Sequence, residues 1–79
     1  MTLEQIRFAR EAVPFIPFTV FLADGRFHRI PHRDFLSFSP SGRMVLVYHP
    51  EDAWSVLDTL LVTELRFDPR PVATSDAAR

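Results

Sequence analysis

At 79 residues the chain holds one small domain at most, and 47% hydrophobic with 24% charged residues fits a folded chain rather than a disordered one. Nine basic and ten acidic residues leave a net charge of −1, and the absence of cysteine excludes disulfide staples, thiol catalysis and cysteine-based metal sites. No apolar run approaches the roughly 18 residues of a membrane span, and Met1 to Arg10 carries charges throughout, unlike a signal peptide, so the expected compartment is the cytoplasm.

Thr2 to Val13 reads as a helix. Thr2 and Gln5 form a capping-box pattern, and Leu3, Ile6, Ala9 and Val13 recur on one face. Pro14 stops it, because the residue before a proline is driven out of the α region. Pro14-Phe15-Ile16-Pro17 fits a PxxP pattern, but the simpler reading is a strand entry, where prolines are tolerated. From Phe18 the chain alternates: Phe18, Val20 and Leu22 share one face, and Thr19, Phe21 and Ala23 share the other.

Asp24-Gly25 between strand-like runs predicts a two-residue type I′ hairpin turn. In the strand that follows, Arg26 to Ile30, Phe27 and Ile30 have opposite parity, which predicts a bulge near Arg29. Pro31 ends the pairing. His32 to Phe38 reads as a short helical turn and then a strand that buries Leu36 or Phe38. Ser39-Pro40-Ser41-Gly42 has the residues of a type I turn. Arg43 to Tyr48 is apolar on both faces and is placed centrally in a sheet.

Residues 50–67 admit two readings. Pro50-Glu51-Asp52 resembles a helix start, and Trp54, Leu57, Leu61 and Leu65 have helical spacing. Alternatively Trp54 to Leu57 pairs back on Arg43 to Tyr48, and Leu60 to Phe67 forms the last strand. Leu61, Thr63, Leu65 and Phe67 then face inward and Val62, Glu64 and Arg66 outward. β-branched Thr59, Val62 and Thr63 favour this second reading. Residues 1–67 therefore make a single domain, with the helix over 2–13 and a barrel over 15–67. Asp68 to Arg79 reads as a disordered tail.

The series Pro14-Phe15-x-Pro17-Phe18, Leu22-x-Asp24-Gly25-Arg26, His32-x-Asp34-Phe35, Ser39-Pro40-Ser41-Gly42-Arg43 and Leu57-Asp58-x-Leu60-Leu61-Val62-Thr63 resembles a family of short bacterial proteins of uncharacterised function. The resemblance runs from about Pro14 to Phe67. It departs at Arg33, where relatives often hold proline, and relatives often have glycine near Glu51–Ala53, which favours the hairpin reading. It implies kinship and brings no activity, cofactor or catalytic residue. A helix followed by short bent strands also resembles the SH3-like and Sm-like small barrels. The expected fold is therefore mainly β (α+β), an N-terminal helix packed on a small bent five-stranded barrel.

For chemistry, Arg26, His28, Arg29, His32 and Arg33 form the densest basic stretch. With Phe27 and Phe35 interleaved, it suggests binding of RNA or another polyanion through Arg26, His28, Arg29 and Arg33. The overall acidic balance argues against that reading. All basic residues are arginine, which suits bidentate anion contacts, but the simpler reading is codon usage in a GC-rich genome. His28 and His32 with Asp34 have the types of a metal site, but Pro31 between them removes helical spacing, and no metal or other cofactor is expected. No serine has a nucleophile signature around it, and no catalytic residue is expected. Eight Phe, one Tyr and one Trp are a heavy aromatic load for so short a chain. Domains this small have thin cores. The surplus therefore points to a protein-interaction module, a homo-oligomer or a protein docked on a larger one, with Phe21, Tyr48 and Trp54 as interface candidates.

Overall fold

The computed structural model describes residues 1–69. Helix α1 spans Leu3–Glu11, and six strands follow: β1 (Phe18–Leu22), β2 (Phe27–Ile30), β3 (Leu36–Phe38), β4 (Met44–Tyr48), β5 (Trp54–Asp58) and β6 (Val62–Phe67). They form two antiparallel three-stranded sheets, ordered β2–β1–β6 and β3–β4–β5. The expected five-stranded barrel is thus replaced by six strands in two sheets, with no ladder joining the sheets among the described residues. The mainly β character with one N-terminal helix stands. No helix of the described residues is long and apolar enough to cross a membrane.

The N-terminal signals act as read. Thr2 Oγ1 accepts the Gln5 N–H at 3.3 Å and Gln5 Oε1 accepts the Thr2 N–H at 3.0 Å, closing the capping box. Ile6 and Ala9 are buried. The helix ends at Glu11 rather than Val13, because Ala12 is already extended and Val13 must leave the α region before Pro14. Val13 is consequently exposed.

At the β1–β2 connection, Leu22 N–H bonds the Arg26 carbonyl and Gly25 N–H bonds the Leu22 carbonyl, each at 2.9 Å. This leaves three loop residues, not two. A type I′ turn needs positive φ at both central residues, and here only Gly25 has it, at +93°. Asp24 instead accepts the Arg26 N–H at 3.0 Å. The β1–β2 ladder runs unbroken from Phe21↔Phe27 to Phe18↔Ile30, so no bulge forms near Arg29. The parity conflict is resolved by exposure: Ile30 is buried and Phe27 faces outward. Leu36 is the residue β3 buries fully, and Arg33–Phe35 is the expected helical turn before it.

The bulge lies elsewhere. Phe21 opposes Glu64, but Leu22 opposes Val62, so Thr63 is the extra residue. It switches parity, and Val62 and Leu65 both turn toward the core while Thr63 and Phe67 stay exposed, correcting the outward placement of Val62 and the inward placement of Thr63 and Phe67. Leu61 is half-exposed in a 3-10 turn, Thr59–Leu61.

β4 is the central strand of its sheet, and residues 50–58 take the hairpin reading. Pro50–Asp52 makes one tight turn and stops, with Glu51 and Asp52 at φ +64° and +65°. These are left-handed positions that glycine occupies without strain. For the chain in dilute solution, Glu51→Gly is therefore expected to raise stability by about 1 kcal/mol, seen as a higher urea midpoint at unchanged slope.

Asp68, expected in the tail, is tied down. Its N–H bonds the Pro17 carbonyl at 2.9 Å. The rest of the expected tail, from residue 70, lies outside the described residues.

Candidate interaction face

Strand alternation places Met44, Leu46 and Tyr48 of β4 on the side of the sheet opposite buried Val45 and Val47. On β5, Trp54, Val56 and Asp58 take the same side, opposite buried Leu57. The register puts Tyr48 directly against Trp54, Leu46 against Val56 and Met44 against Asp58. Trp54 is 60% exposed and Val56 50%. The result is a continuous apolar stripe on an outer face, with one hydrogen bond fixing it, Ser37 Oγ to Tyr48 Oη at 3.0 Å.

The stripe reaches the edge of the sheet, since β5 borders only β4. His49 N–H bonds the Ala53 carbonyl at 2.8 Å and Thr59 N–H bonds the Arg43 carbonyl at 3.0 Å. These two bonds fix the phase of the ladder. Odd-numbered residues of β5 direct their N–H and C=O groups to β4, and Trp54, Val56 and Asp58 direct theirs outward. The other edges are blunted. Arg10 Nε bonds the Leu36 carbonyl on β3 at 2.6 Å, and the Met1 ammonium bonds the Val62 carbonyl on β6 at 3.0 Å. β2 carries His28 and Arg29 and ends at Pro31. On β5 the only charge is Asp58, and its Oδ1 caps Leu60 N–H at 2.9 Å. An apolar strand edge without lysine, arginine or proline is the kind that accepts another strand.

Of the three interface candidates, the structure brings Tyr48 and Trp54 together. Phe21 lies on the other sheet, paired with Phe27 at 5.7 Å between ring centroids and covered by the Arg66 guanidinium at 4.8 Å. Met44, Leu46 and Val56 complete the stripe and were missed in the sequence. The hairpin reading already pairs these two segments, but only the register shows that Met44, Leu46 and Val56 share a face with Tyr48 and Trp54. A second apolar spot, Phe8 with Phe67, flanks a groove of about 250 Å³ beside α1.

The basic candidates are dispersed. Arg26 pairs with Asp24 at 2.8 Å in the hairpin loop, where the Arg26 backbone N–H holds the Asp24 carboxyl below its ordinary pKa. Arg29 makes a two-pronged bond to Asp68, at 2.6 and 2.5 Å, which lowers the Asp68 pKa and raises that of Arg29. Arg33 turns back to the helix end, donating to the Arg10 and Ala12 carbonyls at 3.3 and 3.1 Å. His28 points to the opposite face from Arg29.

His28 sits beside His49, ring centroids 5.4 Å apart, and its Nε2 is buried without a partner. His49 Nε2 bonds Ser55 Oγ at 2.9 Å. His32 is not with them; its Nδ1 accepts the Asp34 N–H at 3.2 Å. Among the described residues no three His, Asp or Glu side chains gather as metal ligands.

Burial, then the neighbouring charges of His49 and Arg26, push the His28 pKa below its ordinary 6.5. The unfolded chain therefore takes up this proton at higher pH than the folded chain. The His28 contribution to stability is complete above pH 6.5 and is lost as pH falls through the unfolded value toward the lowered folded one. Melting temperatures are expected to drop from about pH 7.5 to about pH 5.5, and less steeply in His28→Gln.

The chain matches no protein-family model, no curated protein and no solved structure.

Proposed function

We propose that the chain is a small protein-interaction module, self-associating or docking on a larger protein, and that it works through the outer face and free edge of β5. Its role is binding, without catalysis. The observation that carries this reading is the coincidence of an apolar stripe, exposed Met44, Tyr48, Trp54 and Val56 around half-buried Leu46, with a strand edge whose outward N–H and C=O groups have no partner among the described residues. Edge pairing supplies affinity through the main chain, and alternate side chains supply selectivity.

The polyanion alternative takes its support from the density of basic residues between Arg26 and Arg33. Their separation onto a loop, two strand faces and a helix end leaves it second.

A photoreactive phenylalanine replacing Trp54, in the living cell, tests the module reading. The expected result is one discrete cross-linked protein species at position 54 and none from the same group replacing Val13, which is 88% exposed outside the stripe. No product at position 54, or the same smear at both positions, would overturn it.

A further inference from the structure

We infer that the occupant of the β5 edge is a second copy of this chain, paired antiparallel about a two-fold axis at Val56. The inference rests on the module reading above and names its partner.

The edge is self-complementary. In an antiparallel pair the position numbers of opposed residues have a constant sum, and the hydrogen-bonded pairs need both residues facing outward. On β5 those are Trp54, Val56 and Asp58. Opposing Val56 to its own symmetry mate also opposes Trp54 to Asp58 on both sides of the axis. All three outward residues are then used, and a slip by two in either direction leaves one of them unpaired. Such an isologous contact closes on itself. It joins the β3–β4–β5 sheets of the two copies into one continuous sheet.

The side chains agree with this register. A shallow depression at one end of β5 is lined by Arg43, Met44, Val56 and Asp58. The two-fold sets Trp54 of the other copy beside this Asp58, at the mouth of that depression. There the indole N–H reaches the carboxylate and the ring reaches the Met44 side chain and the Arg43 guanidinium.

Charge agrees as well. Arg43 is exposed and has no ion pair among the described residues, and the same holds of Glu51 and Asp52. The cation stands at the Asp58 end of β5 and the two acids at the Trp54 end. The two-fold sets each end against the opposite end of the other copy, so Arg43 of each copy approaches Glu51 and Asp52 of the other. Both acids are held at positive φ, where glycine would be unstrained, so the turn keeps its charges at a conformational cost.

The test is the solution mass of the purified chain by light scattering over a wide concentration range. The expected mass is that of two 9.1 kDa chains, with Trp54→Ala weakening association about thirtyfold or more. Register is tested by Val56→Cys. The natural chain has no cysteine, and the two-fold sets these positions about 5.5 Å apart at Cα, within disulfide range. Oxidation is expected to give a covalent dimer quickly, with Phe27→Cys on the other sheet giving none. A mass of one chain throughout, a higher oligomer, or a dimer indifferent to Trp54→Ala would overturn the inference. A one-chain mass together with a cross-link from position 54 to a different protein would overturn the second copy and leave the module reading standing. A one-chain mass with no cross-link would remove both.

Discussion

Phe18→Ala is expected to leave much of the chain unfolded at room temperature. Phe18 is fully buried at the start of β1, where its ring meets Phe15 at 5.8 Å and Phe67 at 5.5 Å between centroids. It opposes Ile30 on one side and Phe67 on the other, so it closes the end of its sheet, in one core cluster with Ile6 and Ala9 of the helix. Removing a buried phenyl ring costs about 3–5 kcal/mol, through lost transfer energy and the cavity left behind. A chain of 79 residues without disulfides has about 4–12 kcal/mol in total. The loss is thus a large share of the whole, and a urea titration should show a sloping or absent folded baseline. Phe8→Ala is the contrast. Phe8 is 79% exposed, and its truncation is expected to change stability by no more than about 0.5 kcal/mol.

Val56→Lys is expected to abolish the dimer while leaving the monomer folded. Val56 is half-exposed, and its change within one copy is a surface substitution worth about 0.5 kcal/mol. Across the two-fold, the same change sets two ammonium groups directly opposite each other at the centre of the new strand pair. Like charges in that position repel, and lysine on an edge strand is a device by which sheets avoid one another. Light scattering should read one chain at every concentration, with an unchanged circular dichroism spectrum and a melting temperature close to that of the dilute natural chain. A dimer that survives this substitution would place the contact elsewhere, and the Phe8–Phe67 groove would be the next surface to test.

Much of the fold was legible where a local signal had one meaning. Thr2 with Gln5 set the start of the helix, Pro14 required it to end, and the apolar run from Met44 to Tyr48 marked a central strand. The strand after the helical turn is legible too, but the choice between Leu36 and Phe38 as its buried residue is settled only by the structure, in favour of Leu36. Misreadings arose where two structures satisfy one pattern. Asp24-Gly25 suits a two-residue turn, but a three-residue loop needs positive φ only at Gly25. Phe27 and Ile30 at opposite parity suggested a bulge, when an exposed phenylalanine was enough. The true bulge at Thr63 has no such signature, because Val62 and Leu65 look consistent with either face until the register with β1 is known.

The site was legible in part. Tyr48 and Trp54 were named from residue type, and the structure sets them side by side. Phe21 shares their chemistry but lies on the other sheet, which only topology decides. The basic stretch misled by its density along the chain. Alternation along β2 sends His28 and Arg29 to opposite faces, the hairpin loop carries off Arg26, and the turn after Pro31 returns Arg33 to the helix. Closeness in sequence is not a patch on a surface.

The most direct test of the central claim, that the β5 edge is a paired interface, is amide hydrogen exchange across β5 as a function of protein concentration. The N–H groups of Ser55 and Leu57 point to β4 and those of Trp54, Val56 and Asp58 point outward. The account predicts that all five are protected in concentrated solution. It predicts further that dilution exposes only the outward three while Ser55 and Leu57 stay protected. Fast exchange of Trp54, Val56 and Asp58 at every concentration would contradict it.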